Sequence, residues 1–285
     1  MSFDQSPSRT ALSAAAARAA HLIVDAEPRI FADPLAERLL GDRAEELLGY
    51  HRAHGGHPIL ASARAQVVCR STFAESRLAT AVARGVDQYV ILGAGLDTFA
   101  YRAEVAARLR TFEVDRSLTQ EWKHRAIADA GLAPCGDVVL VATDFADESL
   151  VDALTAAGFD RTRPAFVSWL GVSMYLAPES VATTLDALGS LAPGTELVLD
   201  YLLTDDLQDD VGRLYAQQVS AVAADQGEPW LSTFSPEAMA KLLAHHAFVV
   251  QLQADQRHAI DAALWRRTDA LAPSRLAMLA HATIG

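Results

Sequence analysis

From Gly85 onward, short apolar runs alternate with helix-like stretches, and no other feature narrows the possible folds so far. The runs cover residues 88–92, 110–114, 138–142, 165–170 and 196–199. Helical stretches separate them at 117–129, 149–157 and 178–191. Strands connected through helices cannot be hairpin partners. They predict βαβ units, and so a mostly parallel sheet with helices on both faces. Further on, 235–245 predicts a helix and 247–253 a sixth strand. Residues 262–267 read as a seventh strand, and 272–281 as a final helix. The expected fold is α/β around a seven-stranded sheet.

The first 84 residues carry helix patterns and no strand pattern, and predict a helical N-terminal cap before a core at 85–285. Residues 11–24 are rich in helix formers, and Glu27-Pro28 ends them. Asp33-Pro34 predicts a helix start with Asp33 as N-cap, running to about Leu48. Residues 51–57, with Gly55-Gly56, predict a loop, and 62–83 a long helix. After the fifth strand, 202–233 interrupts the alternation with clustered aspartates, an amphipathic helix at 211–224 and Gly227-Glu228-Pro229-Trp230. An insertion there predicts a lid over the carboxyl ends of the strands, where open α/β sheets bind ligands.

With 51% hydrophobic residues the chain has material for a large core. Its 24 basic and 36 acidic residues give a formal charge of −12, which opposes a nucleic-acid partner. No apolar window is long enough for a membrane span. Arg18 and His21 interrupt the alanine-rich stretch 11–26, which reads as a helix and not a leader. Two cysteines make no disulfide framework, so a reducing, cytoplasmic setting is expected. His51, His54 and His57 lack zinc-site spacing, and no metal is expected. Composition is silent on oligomeric state.

The strongest local signal is the strand that runs into Gly93-Ala94-Gly95-Leu96-Asp97-Thr98. Glycines allow a sharp turn and close approach of a ligand, and the next helix offers free N–H groups. A dinucleotide fingerprint needs a third glycine where Thr98 stands, which disfavours NAD. The second run ends in Glu113-Val114-Asp115 and the third in Thr143-Asp144-Phe145. Acids at successive strand ends suit ribose hydroxyls and an adenine amino group.

The segments QYVILGAGLDTFAYR (88–102), FEVD (112–115), TDF (143–145), MYLAPE (174–179) and FADPLA (31–36) together resemble the leucine carboxyl methyltransferase family. The resemblance implies a Rossmann-like class I methyltransferase fold and S-adenosyl-L-methionine as cofactor. It implies O-methyl transfer to a small carboxylic acid or phenol, of the kind met in secondary metabolism. By the same resemblance Gly93 and Gly95 face the methionine portion, and Ala94 and Asp97 of the same turn also bind the cofactor. Asp115, backed by Glu113, takes the ribose, Asp144 and Phe145 hold adenine, and Arg70 grips the cofactor carboxylate. Relatives often carry an acid where this chain has Leu170, so the Leu170 carbonyl is the expected substitute acceptor for the cofactor's ammonium group. Tyr175, Tyr201 and Trp230 are candidates for the acceptor pocket. No catalytic base is evident. A methyltransferase of protein C-termini and a nicotinamide-dependent oxidoreductase stand as alternatives.

Overall fold

The computed structural model describes residues 8–144 and 150–285. Four helices lead: α1 (Arg9–Val24), α2 (Ala36–Leu39), α3 (Ala44–His54) and α4 (Pro58–Ala83). The strands and helices β1 (Gln88–Leu92), α5 (Phe99–Arg102), β2 (Arg110–Asp115), α6 (Ser117–Asp129), β3 (Asp137–Ala142), α7 (Leu150–Ala156), β4 (Phe166–Trp169), α8 (Pro178–Gly189) and β5 (Glu196–Leu202) follow in alternation. Then come α9 (Asp210–Asp225), α10 (Pro236–His245), β6 (Phe248–Asp255), α11 (Gln256–Ala259) and β7 (Ala277–Ile284).

The seven strands form one sheet in the order β3-β2-β1-β4-β5-β7-β6. The first five are parallel, and β7 runs antiparallel between β5 and β6. The seventh strand is therefore not 262–267, where residues 262–265 form a short 3-10 turn. Nor is the chain's end a helix. Alanine, leucine and methionine read as helix formers, yet β7 is buried against strands on both sides, and tertiary pairing overrides that propensity.

Alternation within the strands divides the core. Val90, Leu92, Val114, Trp169, Leu199 and Tyr201 pack under α7, α8 and α10. Tyr89, Ile91, Phe166 and Val198 pack against Cys69, Phe73, Leu78 and Val82 of α4. The C-terminal half of α4 thus covers one face of the sheet, so the hydrophobic core runs across residue 84. Asp33 accepts the Ala36 N–H at 3.1 Å, but the N-cap of α2 is Leu35 and not Asp33, and the helix breaks at Gly41, where φ is +53°. The expected loop at 51–57 begins as helix: His51 is buried in α3, and the turn starts at Gly55.

Candidate functional site

The strand order reverses at β1, between β4 on one side and β2 on the other. At that point a cavity of about 700 Å³ opens at the carboxyl ends of the strands. Its floor is the turn after β1. Gly93 has φ +67°, and a side chain there would collide with Val172, so only glycine fits. The Gly93 and Ala94 N–H groups both donate to the Val114 carbonyl, at 2.9 and 3.1 Å. Asp97 accepts the Phe99 N–H at 2.7 Å and so starts α5. From α1, Arg18 donates to the Leu96 carbonyl at 2.5 Å and to Asp33 at 2.7 Å, tying the turn to the N-terminal helices.

Asp115 closes this turn from β2. Its two oxygens accept the backbone N–H groups of Gly95 and Arg116, each at 2.7 Å, and its carboxylate borders the cavity. Several lone pairs remain for hydroxyl donors. Asp144 is exposed at the cavity wall, and Phe145 lies outside the described residues. Arg70 and Leu170 also line the cavity, together with Gly171 and Ser168.

Two expected residues lie elsewhere. Glu113 is 1% exposed, off the cavity wall, with Lys123 Nζ of α6 2.6 Å from its Oε2. It shares the Asp115 face of β2 but sits two residues deeper, below the edge where ligand can reach. Burial pushes its carboxyl group above the usual range, against the pull of Lys123. Tyr201 points to the opposite face of β5, where its hydroxyl donates to Gln253 and its ring meets Phe234 edge-on. Its neighbour Asp200, which sequence reasoning passed over, lies on the other face of β5, behind the cavity wall formed by Arg70 and Gly171. Asp200 is 2% exposed and accepts the Gly171 N–H at 2.6 Å, with Arg70 Nη1 3.4 Å from its other oxygen.

The insertion roofs the cavity. From α9, Tyr215, Val219, Val222 and Ala223 face it at helical spacing, and Gln226 follows just past the helix end. Val211, Leu214 and Val222 of this helix are all largely exposed, and of the three only Val222 borders the cavity. The inward stripe was readable from Tyr215 and its partners four, seven and eight residues on. Trp230 borders the cavity and lies nearly parallel to Tyr215, centroids 6.5 Å apart. Glu228 accepts the Thr10 N–H at the start of α1, at 3.3 Å. Tyr175 lines the same end. Burial raises both tyrosine hydroxyls, that of Tyr215 to about 12, so both keep their protons at neutral pH. Among the described residues no histidine, lysine or cysteine lines the cavity. No group of three His, Cys, Asp or Glu among them could hold a metal ion, and none of their helices is long and apolar enough to cross a membrane.

Sheet order and site together define the α/β fold of class I methyltransferases. The chain belongs to the leucine carboxyl methyltransferase family, whose sequence profile matches residues 11–189. It is 34% identical over 185 residues to a Bacillus subtilis protein named "Putative S-adenosyl-L-methionine-dependent methyltransferase YktD", covering 64% of this chain and 60% of that one. A Mycobacterium avium relative with the same class name is 35% identical over 206 residues, covering 67% of this chain and 65% of its own. The chain thus spans less than two thirds of each relative's length. Among solved structures, a DUF574 family protein of Streptomyces avermitilis superposes with a TM-score of 0.62 at 17% identity, covering 94% of this chain and 97% of that one. A Thermobifida fusca protein described as a "putative methyltransferase" gives 0.58 at 22% identity, covering 87% and 92%. At such identities these two show the fold alone.

Proposed function

We propose that this chain is an S-adenosyl-L-methionine-dependent O-methyltransferase acting on a small acid or phenol in the cytoplasm. The observation that carries the reading is one cavity at the β1/β4 switch point walled by Asp115, Arg70 and an aromatic roof. The donor set fits the cofactor. Asp115 offers lone pairs to a ribose diol, and Arg70 offers a planar fork to an amino-acid carboxylate. Glycine and alanine at 93–95 keep side-chain bulk away from the sulfur. The relatives' names point the same way. Unpaired Cys69 and Cys135 suit a reducing compartment.

When bound, the cofactor supplies a methyl group on a sulfonium, which leaves as a neutral thioether. The chain's part is placement and exclusion of water. Asp115 would hold the nucleoside end, the Gly93–Gly95 turn would leave room for the methionine portion, and the roof of α1, α9 and Trp230 would enclose the acceptor end. Burial keeps the Tyr175 and Tyr215 hydroxyls protonated, so neither would withdraw a proton from the acceptor. With no histidine or lysine on the described wall, a carboxylate suits the site best, since it arrives already ionised near pH 7. The roof favours a small molecule over a protein surface. The test is calorimetry with S-adenosyl-L-homocysteine, followed by methyl transfer from labelled cofactor to a panel of aryl and alkyl acids and phenols. Binding without transfer to any oxygen acceptor would leave a methyltransferase fold with another acceptor class; absence of binding would overturn the reading.

A further inference from the structure

We infer that Asp200 is a positioning residue that holds Arg70 as the anion-binding end of the cavity, an inference that rests on the cofactor reading above. Asp200 follows Val198 on the face of β5 that meets α4, so its carboxylate emerges beneath Arg70. Its Oδ1 accepts the Gly171 N–H at 2.6 Å and its Oδ2 lies 3.4 Å from Arg70 Nη1. Gly171, at φ +70°, provides the seat: a Cβ there would come within 2.6 Å of Arg70 Cζ. The guanidinium is therefore held against bare backbone on one side and paired at one nitrogen on another.

Asp200 does not line the cavity; Arg70 and Gly171 do. No carboxylate among the described cavity residues comes from β4 or the turn after it, where Leu170 stands. The buried acid behind the wall thus sets the geometry of the cation in front of it. Arg70 Nε and Nη2 have no hydrogen-bond partner among the described residues, and these N–H groups are the fork offered to a ligand carboxylate. An arginine without such a second contact loses rotamer freedom on binding, which lowers affinity.

Two ligands separate positioning from general support. S-adenosyl-L-homocysteine carries the amino-acid tail; 5′-methylthioadenosine has the same nucleoside and sulfur without it. Calorimetry on the full chain would compare wild type, Asp200→Ala, Arg70→Ala and the double variant. Asp200→Ala should weaken homocysteine-ligand binding about tenfold, about 1.4 kcal/mol, and leave methylthioadenosine within twofold. In the Arg70→Ala background the same change should cost less than twofold. Asp200→Asn, which keeps the Gly171 contact and the shape, should fall between and serves where the alanine variant folds poorly. Equal losses for the two ligands, a full Asp200 effect without Arg70, or no effect at all would overturn the inference alone. Failure of the wild type to bind either ligand would overturn the cofactor reading and this inference with it.

Discussion

Gly95 donates its backbone N–H to Asp115 Oδ2 at 2.7 Å, so the acid that ends β2 locks the glycine turn that ends β1. One side chain therefore shapes the floor and offers the lone pairs a ligand would use. Asp115→Ala should remove both. Losing a charged hydrogen-bond acceptor in such a place costs about 1.5–3 kcal/mol. Affinity for S-adenosyl-L-homocysteine should fall tenfold or more, read by calorimetry, and Tm should drop as well. Unchanged affinity would mean the ribose end of the site lies elsewhere.

The Glu113–Lys123 pair is a matter of folding. Both side chains are buried to within 2% of complete, at 2.6 Å. Removing one partner of such a pair leaves a bare charge inside, at a cost of about 3–5 kcal/mol. Lys123→Met should therefore lower stability in urea by that order. The double change Glu113→Gln with Lys123→Met should recover most of the loss. A single variant as stable as wild type would show that the pair contributes nothing.

His51 gives a pH dependence with a definite sign. Burial, helped by the Arg64 guanidinium, holds its pKa down to about 4, against an ordinary 6.5. Between those values the unfolded chain binds a proton at this site and the folded chain does not, so stability falls as pH falls. The contribution is complete above about pH 6.5 and lost by about pH 4. Glu75 and Glu113, both raised, act in the opposite sense at the acid end, so the measurement is a difference. Wild type minus His51→Gln should give a free-energy slope confined to that window. A flat difference curve would show that His51 is free to charge in the fold.

The parallel strands were legible because each is an apolar run closed by glycine or an acid, and five such runs fix topology through the connections between them. β7 was not, because Ala277–Ile284 earns its strand state only by lying between β5 and β6. Strand alternation placed Glu113 and Asp115 on one face correctly, but periodicity carries no depth, and depth separates a cavity wall from a buried ion pair. At β5 the aromatic Tyr201 drew attention that belonged to Asp200, one residue away and on the other face. His51 reads as loop because it precedes two glycines, while its partners Asp25 and Arg64 are remote in sequence: Arg64 makes two 2.8 Å bonds to Asp25 beside it. Such constellations form only when α1, α3 and α4 meet.

Trp230 tests the division of labour in the cavity. Its ring packs with the cluster of Met174, Leu202 and Leu276, beside Tyr215. Its neighbours anchor the segment: Leu231 N–H donates to the Met174 carbonyl at 2.7 Å, and Ser232 Oγ to the Ser173 carbonyl at 2.9 Å. Trp230→Ala should thus widen the acceptor end without releasing the roof. S-adenosyl-L-homocysteine affinity should stay within twofold, while kcat/KM for the acceptor falls by more than tenfold, a loss above about 1.4 kcal/mol of transition-state stabilisation. Trp230→Phe keeps an apolar ring and should restore most of that loss. If the alanine variant instead loses cofactor affinity and acceptor turnover in equal measure, Trp230 supports the whole cavity, and the separate acceptor end is wrong.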